Sequence, residues 1–84
     1  MKVDFRKIPM YKSIRRDETE MVDITEVLAN TIYTTKGGVV AHSLAMRIYE
    51  QGEVELTDGE KEIVLQTADA FVGIVADSIK DALS

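Results

Sequence analysis

The chain has no cysteine, one proline and one histidine among its 84 residues. The missing cysteine excludes disulfides, thiolate metal sites and cysteine catalysis. Small secreted domains usually depend on such staples, so their absence favours a reducing cytoplasm. Apolar runs reach only a few residues, too short for a membrane span. The first stretch, Met1-Lys2-Val3-Asp4-Phe5-Arg6, is charged at once and offers no apolar signal core. There is no GxGxxG and no GxxxxGKS/T, so the dinucleotide and P-loop phosphate motifs are missing. A nucleophile needs a base within reach and a group that orients that base. The single histidine, His42, is followed by Ser43, and neighbours in sequence do not share a helix face. No spacing selects a catalytic trio, so an enzyme is not expected and His42 is read as a helix-surface or boundary residue.

What is present is globular. Hydrophobic residues make 45% of the chain and charged ones 30%, above the range of disordered sequences. Residues 1–84 read as one small domain. A chain this short buries about 60–65% of its unfolded surface, which sets an expected stability of roughly 4–8 kcal/mol. The net charge of −5 is uneven. Residues 1–23 carry six basic and five acidic groups, residues 24–84 four basic and ten acidic. The acidic excess keeps a small protein in solution, and its field argues against nucleic acid as a partner.

The expected fold class is α+β. Residues 2–11 read as a strand, because Val3 and Phe5 alternate with Lys2, Asp4 and Arg6. Pro9 confines that strand to an edge or ends it. A polar loop at 13–19 leads to a returning strand at 20–24, giving an N-terminal hairpin. Asp23-Ile24-Thr25-Glu26 reads as a capping box. A helix over about 24–35 follows on the stripe Ile24, Val27, Leu28, Thr31 and Ile32, and Gly37-Gly38 closes it. A second helix, 39–51, carries Val40, Leu44, Ala45 and Ile48 on one face, with Ala41 and Tyr49 at its margins, and stops at Gly52. Glu53-Val54-Glu55-Leu56 alternates and is a short third strand or an extended link. Thr57-Asp58-Gly59-Glu60 is a second capping box, its acids suited to a helix N-terminus. The helix it opens, about 58–83, follows Val64, Ala68, Phe71, Val72, Val75, Ile79 and Leu83. Gly73 inside it marks a kink, a split into two helices or a close helix contact.

Three features invite a chemical reading. Glu53, Glu55, Asp58, Glu60 and Glu62 lie within ten residues, but the ligand spacing of a calcium loop is missing. Capping and solubility account for these acids, so no metal and no other cofactor is expected. Gly37-Gly38 precedes a helix, where an anion can sit, yet Lys36 is the only cation nearby, and a helix–helix turn is the simpler reading. Lys7, Lys12, Arg15 and Arg16 form the one basic cluster, offset at once by Asp17, Glu18 and Glu20. The helix pair 24–35 and 39–51 has the order of a helix-turn-helix. Its second helix offers only His42, Ser43, Arg47 and Gln51 for base contacts, few for a recognition helix.

Leu44-Ala45-Met46-Arg47-Ile48-Tyr49, then Gly52-Glu-Val-Glu-Leu-Thr before a final helix, follows the order LA-x-x-IY-x-x-G-x-VELT-x-x-E. With the Met-Lys-Val-Asp-Phe start and the entry Asp23-Ile24-Thr25, this resembles a group of small, uncharacterised proteins encoded in tailed-phage genomes and bacterial prophages. The chain departs from that group in its basic loop and in having no proline in the final helical region. The resemblance implies no catalytic residue. The expected function is therefore non-enzymatic, through contact with a protein partner or a second copy, in a bacterial cytoplasm and without a small-molecule ligand. Candidate contacts are Lys12, Arg15 and Arg16 in the basic loop and Phe71 and Val75 on the wide last stripe. One alternative is an acidic inhibitor or decoy of a host defence or DNA-binding enzyme. A second is a nucleic-acid-binding regulator using residues 12–16.

Overall fold

A computed structural model describes every residue from Met1 to Ser84. Strand β1 (Lys2–Asp4) lies antiparallel to β4 (Glu53–Glu55), with Val3 opposite Val54. Both valines are buried, while the flanking Lys2, Glu53 and Glu55 face out. This is the period of two that a one-sided sheet requires. A second sheet joins β2 (Ile8–Tyr11) to β3 (Thr19–Val22) in a hairpin, with Ile8 opposite Val22 and Tyr11 opposite Thr19.

Residues 2–11 are thus two strands in two different sheets, not the single hairpin arm read from the sequence. The break is local. The Asp4 carboxylate accepts the Arg6 amide at 3.0 Å and its Nε at 2.9 Å, and the Lys7 amide bonds the Asp4 carbonyl at 3.2 Å. The turn drives Phe5 fully into the core. The Phe5 amide then bonds the Gly52 carbonyl, and its carbonyl accepts the Ile24 amide, both at 2.9 Å. One residue ties together the end of the second helix, the entry to β4 and the entry to the first helix.

Helix α1 runs Thr25–Thr35 and α2 runs Val39–Gln51. The capping box expected at Asp23 does not form. Ile24 takes the cap position because its side chain is buried and its amide is used by Phe5. Asp23 instead accepts from the Thr25 amide and hydroxyl, at 2.9 and 2.7 Å, an Asx-type turn. The buried stripe of α1 is Leu28, Ala29 and Ile32, and Val27 is exposed. That of α2 is Ala41, Leu44, Ala45 and Ile48, with Val40 turned out. Ile24, Leu28, Ile32, Leu44, Ala45 and Ile48 are buried as their spacing predicts, while Ala29 and Ala41 take the places expected of Val27 and Val40, since helical spacing admits either neighbour and the packing partner selects one. Gly52 ends α2 at φ 75°, a conformation that favours glycine, and an added Cβ would run into the Arg6 side chain.

Helix α3 runs Asp58–Ala68 and α4 runs Gly73–Ala82. The box at its start is formed as read from the sequence. The Glu60 amide donates to Thr57 Oγ1 at 3.2 Å, and Glu60 Oε1 accepts the Thr57 amide at 3.0 Å. The second Glu60 oxygen pairs with Arg47, which fastens α2 to α3. The chain leaves α3 through a tight turn at 69–72 and starts again at Gly73, so the final stripe is split. Val64, Ala68, Ile79 and Leu83 reach the core, Phe71 and Val75 pack half-buried against it, and Val72 points out. The class is α+β. One apolar core takes buried residues from every element but β3, whose Val22 packs half-buried against it, and no helix is long and apolar enough to cross a membrane.

Candidate functional site

Helices α1 and α2 lie side by side, and small residues are mixed with large ones on their buried faces. Ala29 and Ala45 are both buried, and their short side chains leave a groove above them. The groove holds about 240 Å³ and is flanked by Glu26, Asn30 and Tyr33 of α1 and by Met46 and Tyr49 of α2. Three large side chains stand out of the surface here. Tyr33 is 57% exposed, Tyr49 60% and Met46 40%. Their helical spacing explains the alignment. His42, Met46 and Tyr49 fall at i, i+4 and i+7 on α2, one stripe beside the buried one. The His42 ring sits tilted at 52° against Tyr33, 5.4 Å between centroids, and so supports a wall of the groove.

A second region, where the hairpin meets α4, is built from polar groups. Ser78 is buried. Its hydroxyl accepts the Tyr11 amide at 3.0 Å and donates to the Ile74 carbonyl at 2.7 Å. The Tyr11 hydroxyl donates to Asp81. That bond pushes the Tyr11 pKa up, because ionisation would place two negative oxygens together. The Arg16 guanidinium pairs with Asp77 at 2.6 Å and lies 5.4 Å from the Tyr11 ring centroid. Arg16 is also the one non-glycine residue with positive φ, 58°. Elsewhere, Lys80 is paired with Asp69 at 2.6 Å, which raises its pKa. The Arg6 side chain holds Asp4 below the usual carboxylate range, and the Thr25 hydroxyl and amide do the same for Asp23.

The sequence-derived contact residues divide accordingly. Lys12 and Arg15 are exposed on the hairpin loop, Arg15 beside Asp17 at 3.3 Å. Arg16 is drawn onto α4. Phe71 and Val75 are turned toward the core. The loop and the last stripe meet through Arg16–Asp77, with Ile14 and Ile74 beside them. Tyr33, Met46 and Tyr49 were not singled out as contacts in the sequence. The signal for them is a tyrosine or methionine just off each helix's buried stripe, and only the α1–α2 pairing turns three such residues into one surface. No group of three or more His, Asp or Glu side chains is placed to hold a metal ion.

Comparison with protein-family models, with curated proteins and with solved structures found no match to this chain.

Proposed function

We propose that this chain is a non-enzymatic protein of phage or prophage type that acts in a bacterial cytoplasm through protein–protein contact at the α1–α2 groove. The observation that carries this reading is the cluster of Tyr33, Met46 and Tyr49, exposed above a floor of Ala29 and Ala45. Aromatic residues and methionine are enriched where proteins meet, and tyrosines near the centre of an interface supply much of its energy. A phenol brings large area with few rotatable bonds, and its hydroxyl tolerates water until the partner arrives.

The alternatives draw less support. A decoy for a DNA-binding enzyme needs carboxylates gathered on one face. Seven of the fifteen here are in ion pairs, spread over β1, the hairpin loop, β4, α3, the α3–α4 turn and α4. A nucleic-acid reading of residues 12–16 needs several free cations, and only Lys12 is free there, with Arg15 paired to Asp17 and Arg16 to Asp77.

A photo-reactive phenylalanine analogue placed at residue 49 tests the proposal in the host cell. A defined protein adduct is expected from position 49, not from exposed position 62 on α3, and it is lost with Met46→Glu. Equal labelling from both positions, or none from position 49, overturns the reading.

A further inference from the structure

The groove has a complement elsewhere on the same chain. The hairpin loop presents Ile14, 92% exposed, between Lys12 and Arg15. An isoleucine so exposed gains nothing for its own fold. The loop around it nevertheless makes bonds of its own. The Lys12 amide bonds the Glu18 carbonyl at 3.2 Å, the Arg16 amide bonds the Ser13 carbonyl at 3.1 Å, and Arg16 is clamped to Asp77. A protruding apolar side chain on an ordered tip loses little freedom on docking.

One pair of charges matches as well. Glu26 lines the groove, and Glu50 follows Met46 by one helical turn. Neither takes part in an ion pair. Arg47, the one cation of α2, is taken by Glu60, and Lys36 reaches toward Gln66 at 3.5 Å. The one carboxylate that lines the groove, Glu26, is therefore unneutralised. On the tip Lys12 is in no ion pair and Arg15 has only a surface pair with Asp17, a kind of contact that stabilises little, while Glu18 beside them is unpaired too.

We propose that the hairpin tip of one copy docks in the α1–α2 groove of the next, Ile14 seated among Tyr33, Met46 and Tyr49 and Lys12 facing Glu26. The inference rests on reading that groove as a protein-docking surface. The hairpin packs on α4, and the groove belongs to α1 and α2. Tip and groove are thus different surfaces, and the contact is head-to-tail. Such contacts repeat into rings or open chains instead of stopping at a symmetric dimer. One loop in one groove buries less than the standard interface of about 1,200–2,000 Å², so assembly is weak and grows with concentration.

Sedimentation velocity of the purified full chain, from micromolar to millimolar concentration, tests this. The average mass of the wild type is expected to rise with concentration, and to rise less at high salt, where the tip–rim attraction is screened. Ile14→Asp spoils the tip and Met46→Glu the groove, so each variant alone stays monomeric. Mixed, the intact tip of one meets the intact groove of the other, and a heterodimer forms that grows no further. Tyr49→Ser replaces Met46→Glu should the latter fail to show native far-UV dichroism. A wild type monomeric throughout, assembly that survives Ile14→Asp, or a mixture that stays monomeric overturns the proposal. The cross-linking experiment separates the two readings. A monomeric wild type that still labels a different protein through residue 49 removes only self-docking. Absence of any adduct at 49 removes the reading beneath it.

Discussion

Between the hairpin and α4 the contacts are polar and directional. Between α1 and α2 they are apolar and smooth. The first pairing depends on a serine hydroxyl, a phenol and a guanidinium, each with a named partner. The second depends on Leu28, Ile32, Leu44 and Ile48 filling space, with two alanines flooring the groove. The polar region consumes its own chemistry, because Arg16, Asp77, Tyr11 and Asp81 satisfy one another. The apolar region leaves its largest side chains over. Surface that holds the molecule together is spent, and surface available to a partner is what the core did not need.

The contrast can be broken most directly in the apolar half. Leu28→Ala should lower unfolding free energy by about 2–5 kcal/mol, through lost transfer energy and the cavity left behind. Chemical denaturation with an unchanged m-value would measure it, and a loss under about 1 kcal/mol would mean that α1 is not central to the core. Ser78→Ala comes next, at about 1–2 kcal/mol, because the Tyr11 amide loses its acceptor. Hydrogen exchange should report that loss as faster exchange at Tyr11, with α1 and α2 little changed.

The titrating groups sharpen the same comparison. Asp4 and Asp23, at the turn after β1 and the entry to α1, have folded pKa values below their ordinary ones. Their contribution is present above the unfolded carboxylate pKa, about 3.9, and is lost as pH falls through the folded value. Tyr11 and Lys80, on the hairpin–α4 side, have folded values above their ordinary ones. Their contribution is present below the unfolded values, about 10, and is lost as pH rises through the folded ones. Acid should therefore loosen the β1–α1 entry first, and alkali the hairpin. Asp4→Asn is expected to flatten the acid limb of the stability profile and Tyr11→Phe the alkaline limb. Identical profiles for wild type and variants would remove the assignment. The smallest effect belongs to Tyr33→Ala. Its exposure puts the stability change within about 0.5 kcal/mol, so an unfolding midpoint clearly below the wild type's would show that the groove wall is structural.

Much of the helical half was legible in the sequence. Thr57 and Glu60 satisfy each other's backbone within four residues, and a cap of that kind is local enough to read. Gly52 ends α2 for an equally local reason, whereas α1 stops at an extended Lys36 before Gly37-Gly38, and Gly38 with φ 96° caps the start of α2. The β1–β4 pair was not legible, because it joins residues about fifty positions apart and neither strand says which partner it takes. A local trace of the break did exist. Val3 and Phe5 are odd-numbered, while Ile8 and Met10 are even-numbered, so one strand could not bury all four on one face. The Asp23 box failed because burying Ile24 outweighed a solvent-exposed cap. In the groove, Tyr33 and Tyr49 are sixteen residues apart, and only the way α1 lies against α2 makes them neighbours.

The Phe5 junction also sets an order of events. Its two backbone bonds reach Gly52 and Ile24, and β1 has no strand partner until β4 exists. A nascent chain can pair α1 with α2 across a three-residue link, whereas β1 must wait for residues 53–55 and then close a loop of about fifty residues. Closing that loop costs entropy that scales with the logarithm of its length, and local contacts form sooner than distant ones. The helical pair is accordingly the early structure and the β1–β4 clasp the late one. In folding kinetics Val3→Ala should leave the refolding rate almost untouched and speed unfolding, while Leu28→Ala slows refolding. The reverse pattern would place the clasp first.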